Sequence, residues 1–594
     1  MSSIESYDLR SHGVTLHIDT PFTFQSGKPV VVDVEHDEKG NFVGLGLTLD
    51  GTEVYYYTFI TEQVKVFLSA AKLIGHNVKS DVHHMLRWGI KCGVDAIYYD
   101  TMLAAYSINP VRESQGLKAL AKELLDFTYP TYRQIVGKGH DKVTLDHQPV
   151  DVVANYCGSD VIATYRLYEL FQKQMTPDQV KVFELEMSVN RLLYRMEARG
   201  VDVDVPYLRH LSVLFTDEIG HLKKKVELLA GHLINLDSPK QMVELLYRQF
   251  GLPEQWKRAK RKDKKSGRTQ WVDVITTDKN ALLELDGMHE VIPLIIRNRE
   301  LSKLNSTYVT GILKREGLPT VHTSFNQVSV NEEQDEWDGI RTGRLSSSGP
   351  NLHSIPTRTE TGHMLRKAFV PSHPDLTLLC FDYSQIEYRL LAHFTHEPIL
   401  LQAFRTGKDV HEETGRIFGV GRYIGKTLNF AAIYGAQAKR MAMTAKIKRE
   451  RAQELLDAYW AKLPYVKSWI NVTKLTAAKK GYVTTLGGRR IPIPNIRSGD
   501  QMERWKAERQ AVNYIVQGSA ADIIKWAMLR CDEEGYTPIL QIHDEILLEV
   551  KHGSVSEVLL RVKAIMESVV KLSIPLIVDG GAGNSWSAAK EHAN

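Results

Sequence analysis

Two periods of apolar positions alternate along the first 175 residues. In "KPVVVDVEHD" and "GNFVGLGLTLDGTEVYYYTF" the pattern predicts a strand and then a hairpin turning at Asp50 and Gly51, while "DVVANYCGSDVIATYRLYELFQK" carries helical spacing. Strands interleaved with helices make this an α/β unit. Thr176, Pro177 and Gln179 form a capping-box pattern with proline in the first turn. They open a helix whose apolar positions Val182, Leu185, Val189, Leu192 and Met196 recur until Gly200, and a new domain is expected to begin there. From Asp178 to about Tyr308 the spacing stays mostly helical, broken by "DSPKQ" and by a basic run. From about Thr323 to Val370 polar, Gly-rich and Ser-rich segments mix with short strands, and Pro398 to about Cys531 is almost all helix. "TPILQIHDEILLEV" then predicts two strands meeting at His543 and Asp544. No repeat at solenoid period is present.

Composition narrows the class. At 594 residues the chain exceeds one hydrophobic core, so several packed units are expected. No apolar run is long enough to cross a bilayer, and "MSSIESYDLR" is neither a basic, apolar signal nor an Arg-rich transit peptide, so a soluble cytoplasmic protein is expected. Cys92, Cys157, Cys380 and Cys531 stand alone without CxxC pairs, which argues against disulfides or a zinc site. The net charge of +4 does not by itself indicate a polyanionic partner. Lys257 to Arg268, "KRAKRKDKKSGR", holds eight basic residues and one acidic, and reads as a solvated loop or a phosphate-contacting tip.

The stretch "LLCFDYSQIEYRLLAHFT", Leu378 to Thr395, sets a carboxylate at the end of a buried strand and a second acid, Glu387, five residues on. Asp382 alone reads as a helix N-cap. Asp544 changes that balance, because its flanks "PILQI" and "EILLEV" are too apolar for a surface and a charge between them needs a partner. Two aspartates on adjacent strands can hold two divalent metals about 4 Å apart, the arrangement for in-line attack at phosphorus. In "RYIGKTLNFAAIYG" the residues Arg422, Lys426, Phe430 and Tyr434 fall four apart, so two cations and two aromatics share one slowly turning helix face. That face is either a phosphate clamp running into a stacking platform or an amphipathic helix with snorkelling cations.

These segments resemble motifs A, B and C of the family A DNA polymerases, the DNA polymerase I group. The likeness extends in order through "SPKQ", "RELSKLNSTYV", "HTSFNQ", "TGRLSSSGPNL", "RKAFVP", "GKDVHEETG", "GYVTTLGGRRIPIPNI", "AERQAVNYIVQGSAADIIK" and "GNSW", covering about Thr176 to Lys590. The resemblance implies a right-hand polymerase of α+β type with thumb at 176–320, palm at 321–397 and 534–594, and fingers at 398–533. Asp382 and Asp544 would bind two Mg²⁺ ions, replaceable by Mn²⁺, with Glu545 beside them and His543 near the primer end. Arg422, Lys426 and His411 would contact the triphosphate, Lys426 also as proton donor, with Phe430, Tyr434 and Gln385 completing the dNTP site. Glu387 would pair with Tyr434 and fill the space of a ribose 2′-hydroxyl, selecting deoxynucleotides. Phe430 in place of tyrosine implies rejection of dideoxynucleotides. Arg344, Arg358, Asn351, Arg509, Asn513, Gln517 and Lys303 match positions that hold primer-template, partly through the minor groove. The family usually has Gln-Asn after "PNL", where this chain has His353 and Ser354.

A second acidic set lies in the first 175 residues: Asp33 and Glu35 in "VVVDVEHD", Asp81 in "GHNVKSD", Tyr156 and Asp160 in "NYCGSD". Each alone reads as a solvated or capping carboxylate. Together they resemble the DEDDy-type 3′–5′ exonucleases of RNase H-like α/β fold, in which four carboxylates hold two metals and the tyrosine orients the attacking water. The resemblance implies an active proofreading domain at 1–175, trimmed between Asp33 and Asp81, and a Klenow-like polymerase without a 5′-nuclease domain, as in phage replicative enzymes. It also turns the basic run into a thumb element contacting DNA backbone. Primer-template DNA and dNTPs are the expected partners, a processivity factor is not readable, and monomer is the default. The competing readings are an exonuclease whose second module only grips DNA, and a non-enzymatic scaffold. Each would be favoured by missing metal carboxylates, and all six are present.

Overall fold

The computed structural model describes residues 7–21, 28–137, 142–262, 269–328, 341–357, 359–435 and 438–591, with backbone alone at 260, 262, 269 and 432–434. Its first unit is a six-stranded sheet ordered Thr15–Ile18, Glu53–Tyr57, Phe42–Thr48, Val30–His36, Leu73–Gly75, Ile97–Asp100. The hairpin expected at Asp50 and Gly51 is the antiparallel pair Phe42–Thr48 and Glu53–Tyr57, and the last two strands join Val30–His36 in parallel. Val30–His36 reads "VVVDVEH" because both its faces are covered, which favours an unbroken apolar run over strict alternation. The period of two then sets Asp33 and Glu35 on one face. Val150–Gln174 packs across this sheet and buries Ala154, Cys157, Val161 and Leu167 against it.

The helix Pro177–Arg199 starts on the expected capping box, with Thr176 and Gln179 each bonded to the other's backbone. It belongs to two cores at once. Phe183, Met187 and Tyr194 pack with the first unit, whereas Val189, Leu192, Leu193 and Met196 pack with the second. The two apolar stripes of one helix therefore join the units.

The second unit is built on a four-stranded antiparallel sheet ordered Leu540–Ile542, Glu545–Lys551, Leu376–Tyr383, Val578–Gly583. In this register Asp382 lies opposite Glu545 on one side and Asp579 on the other. The 33-residue helix Gln501–Glu533 and the helix Val555–Ser568 pack on the sheet. The helices from Pro398–Arg405 to Pro464–Lys480 form a separate core, and Val205–Ala230 with Val291–Leu304 carry a further one at their far ends.

Three expectations change. Asp544 is not on a strand: it and His543 form a two-residue turn between Leu540–Ile542 and Glu545–Lys551, with His543 at φ +56°. The described part of the basic run, Lys257 to Lys262, is not an open loop. Trp256–Lys262 is a strand paired with Thr269–Ile275, and Asp263 to Arg268 lie outside the described residues. β-Branched and aromatic residues of the second strand, Val272, Val274 and Trp271, draw the cations into a hairpin that charge counting does not reveal. Within the block expected to be nearly all helix, Tyr482–Thr484 and Arg490–Pro492 form a short hairpin.

Candidate active sites

The turn between strand and helix sets up the second unit's site. After Asp382 the chain passes through Gln385 at φ +53° and enters the helix Ile386–Thr395, with Glu387 in its first turn, where a carboxylate is favoured. Asp382 therefore caps no helix. Its Oδ2 accepts a short hydrogen bond from Lys590, and its Oδ1 is buried with no hydrogen-bond partner. Lys590 also stands 2.9 Å from Glu545 Oε2, and Trp586 donates to the other Glu545 oxygen at 2.5 Å. The helix Trp586–Glu591 comes this close because Gly583 lies beneath it: a Cβ there would sit 2.5 Å from the Ala589 nitrogen. Burial, then Asp382, pushes Asp544 up to about 7, with Arg344 opposing. Asp382 is also raised by burial, against the pull of Lys590. These oxygens are hard donors, two of the carboxyls are held above their ordinary range, and one oxygen is orphaned. Such a set fits divalent cations.

Glu387 accepts from Arg344 at 2.5 Å, an ion pair that the motif reading did not contain. The Tyr434 side chain, its expected partner, lies outside the described residues, as does Arg358. The helix Arg422–Tyr434 carries the two expected cations. Arg422 donates to Asp409 Oδ2 at 2.7 Å, an oxygen that Gln385 Nε2 reaches at 3.2 Å, and Lys426 lies 5.8 Å from the Phe430 ring centre. His411 is buried 5.8 Å from that ring and meets Asn429 Nδ2 at 3.0 Å; burial depresses it to about 4, so it is neutral. Gly425 makes this packing feasible, since a Cβ there would meet the His411 carbonyl at 2.3 Å.

The positions matched to primer-template contact fall on several elements. Arg509, Asn513 and Gln517 fall four apart on Gln501–Glu533 and are half-buried on one face, with Asn513 Oδ1 unpartnered. Asn351 is exposed, and Tyr308 donates to its carbonyl at 2.7 Å. Lys303 is exposed near the end of Val291–Leu304. His353, where the family pattern is broken, meets His543 edge to face at 5.9 Å and bonds Ser347 at 2.7 Å; burial depresses it to about 4. It therefore ties the "SSSGPNL" segment to the Asp544 turn as an uncharged ring.

In the first unit Asp33, Glu35, Asp81, Tyr156 and Asp160 converge. Burial, then Asp160, pushes Asp33 up to about 8; burial, then Asp33, raises both Glu35 and Asp81. Tyr156 and Asp160 are one turn apart on Val150–Gln174. Among the described residues, ligand atoms of Asp33, Glu35 and Cys157 lie within 4.8 Å of one another, and the Cys157 thiol reaches Asp33 Oδ2 at 3.5 Å. This set, too, fits a divalent cation through its carboxylates. Asp33 and Asp160 line a cavity of about 1010 Å³ whose opposite wall, Phe325, Asn326 and Ser346, belongs to the second unit.

Four residues of these sites lie outside the motifs singled out in the sequence. Lys118 and Tyr129 contact Asp160, Lys590 contacts Asp382, and Asp579 adjoins Asp382 in the sheet register. A lone lysine or tyrosine on a short helix or loop has no spacing to read. Asp579 was available from "VDGGAG", had its strand been paired with "LLCFDY".

Comparison with known proteins finds two family models in this chain. The model for DNA polymerase family A matches residues 205–588, and a 3′–5′ exonuclease model matches 25–176. DNA polymerase I of Pseudomonas aeruginosa is 34% identical over 536 residues, 87% of this chain and 56% of that protein. Thermostable DNA polymerase I of Thermus aquaticus is 38% identical over 423 residues, 69% of this chain and 48% of that protein. The chain thus spans about half the length of these relatives. A solved polymerase domain of Pol1 from M. smegmatis, in complex with primer-template DNA and dNTP, superposes with a TM-score of 0.78 at 29% identity, covering 95% of this chain and 96% of that one.

Proposed function

Because the chain belongs to DNA polymerase family A, we propose that it is a template-directed DNA polymerase that extends primer 3′ ends with dNTPs and removes mispaired ends through a separate 3′–5′ exonuclease site. The observation that carries this reading is Asp382 with its orphaned buried oxygen, beside an Asp544 whose carboxyl is pushed up to about 7. Carboxylates crowded together in this way repel one another as ions, and a divalent cation bound between them relieves that repulsion.

Asp382 and Asp544 would hold two divalent cations, Mg²⁺ or Mn²⁺, which lower the pKa of the primer 3′-hydroxyl and neutralise the triphosphate. Arg422 and Lys426 bind and orient the phosphates along one helix face, and Lys426 can pass a proton to the leaving pyrophosphate. Phe430 stacks on the incoming base. Glu387, held by Arg344, closes the space beside the sugar C2′ against a ribose hydroxyl. Arg509, Asn513 and Gln517 face the minor groove, whose acceptors are alike in every base pair, so pairing geometry is tested without reading sequence. At the other site Asp33, Glu35, Asp81 and Asp160 would hold the cations, and Tyr156 orients the water. We assign the first 175 residues to this exonuclease, and thumb, palm and fingers to the segments expected from the sequence.

The test is extension of an end-labelled primer on a longer template with Mg²⁺ and one dNTP at a time. Extension only by the nucleotide complementary to the template supports the reading. Untemplated addition, or none by the wild-type chain, would contradict it.

A further inference from the structure

The exonuclease site contains a cation that its acidic motif does not supply. Lys118, in the first turn of the helix Leu117–Leu125, sets its ammonium 3.0 Å from each carboxylate oxygen of Asp160 and 3.0 Å from the hydroxyl oxygen of Tyr156. An ammonium has three donors and no acceptor, so these contacts use its whole hydrogen-bonding capacity. It lies 4.4 Å from the Tyr156 ring centre and 5.2 Å from that of Tyr129, whose hydroxyl donates to Asp160 Oδ1 at 2.6 Å. The lysine is thus clamped between two rings and a carboxylate.

This clamp fixes a hydrogen position. The Tyr156 oxygen accepts from Lys118, so the tyrosine's own hydrogen must point away from the ammonium. Helix Val150–Gln174 sets the backbone separation of Tyr156 and Asp160, and the ammonium that bridges them narrows the rotamers open to both side chains. The same ammonium pairs with Asp160 and also acts on Asp33 and Glu35.

We propose that Lys118 is a positioning residue for phosphodiester hydrolysis, holding Tyr156 against Asp160 so that the tyrosine hydroxyl faces the attacking water. The proposal rests on the exonuclease reading of this site. In the reaction the water oxygen bonds to phosphorus, the bond from phosphorus to the 3′-oxygen breaks, and the proton lost by water is balanced by one gained at that 3′-oxygen. The products are a nucleoside 5′-monophosphate and a shortened strand ending in a 3′-hydroxyl. Lys118 acts on this step through Tyr156, whose hydroxyl oxygen and partner carboxylate take its hydrogen bonds.

The test uses the full chain as wild type, Lys118→Met, Tyr156→Phe and the double variant. Single-turnover shortening of a labelled single-stranded oligonucleotide with Mg²⁺ gives the rate, and Mn²⁺ binding followed by electron paramagnetic resonance without DNA reports the metal site independently of activity. Lys118→Met is expected to slow shortening about 10²-fold, the usual effect of a misplaced catalytic group. Mn²⁺ binding and primer extension stay within about threefold of wild type, and the double variant is no slower than the slower single variant, as for residues acting as a unit. A Lys118→Met rate within about threefold of wild type, multiplicative losses in the double variant, or Mn²⁺ binding that falls in step with the rate would each overturn the proposal. Failure of the wild-type chain to shorten the oligonucleotide while it still extends primers would instead overturn the exonuclease reading beneath it.

Discussion

Replacing Asp544 by asparagine should make the metal-free protein more stable at pH 8. Its carboxyl is pushed up to about 7, first by burial and then by Asp382, with Glu387 adding to the push and Arg344 opposing it. A carboxyl raised in the fold binds more protons folded than unfolded, so its contribution to stability is lost as pH rises from about 4 to about 7. At roughly 1.4 kcal/mol per pH unit that interval sets a ceiling of about 4 kcal/mol. The turn carrying Asp544 is partly exposed and the neighbouring Arg344 can relax toward it, so roughly 1–2 kcal/mol is the expected gain. The assay is urea unfolding of the full chain in EDTA at pH 8 and pH 4.5, followed by tryptophan fluorescence, since Trp586 donates to Glu545, the residue next to Asp544. Asp544→Asn should be the more stable at pH 8, the gain should shrink at pH 4.5, and Mg²⁺ should stabilise the wild type preferentially. A variant less stable at pH 8, or a gain equal at both pH values, would refute the electrostatic reasoning.

Two further outcomes follow from buried charge. Glu186, Arg489, Asp522 and Lys525 form a fully buried set, with Arg489 2.5 Å from Glu186 and 3.1 Å from Asp522, and Lys525 2.6 Å from Glu186. Burial pushes Glu186 up, but Lys525 and Arg489 overcome it and leave its carboxyl at about 2. Arg489→Met should therefore cost about 3–5 kcal/mol in urea unfolding at pH 7, because it strands a charge rather than removing a pair. Lys590→Met leaves Asp382 and Glu545 without their ammonium and should destabilise the metal-free protein by roughly 1–3 kcal/mol. Thermal unfolding with and without Mg²⁺ checks this, and a deficit unchanged by Mg²⁺ would count against a shared site.

What was legible in the sequence followed from local rules. The capping box before Pro177, the strand through Asp33 and Glu35, and the helix carrying Arg422 to Tyr434 are each set by neighbours a few residues away. The acidic motifs were legible only as ordered sets that resemble known families, because each carboxylate alone, on a strand end, a turn or a helix, also reads as a cap or a solvated group. What was not legible depends on distant contacts. Lys118 reaches Asp160 across 42 residues and Lys590 reaches Asp382 across 208, so no periodicity links them. Pro177–Arg199 was expected to open a new unit, yet its second apolar stripe packs on the first one, a division that a single helical period conceals. Asp544 leaves the strand because His543 adopts a left-handed conformation, which histidine's identity does not announce.

The central claim is that one chain holds two independent phosphoryl-transfer sites. Primer extension and primer shortening, measured with Mg²⁺ in the presence and absence of dNTPs for wild type, Asp382→Ala and Asp160→Ala, test it most directly. Extension lost only in Asp382→Ala, with shortening lost only in Asp160→Ala, is the predicted result. Shortening without extension in the wild type, or loss of both activities in either variant while the protein remains folded, would contradict it.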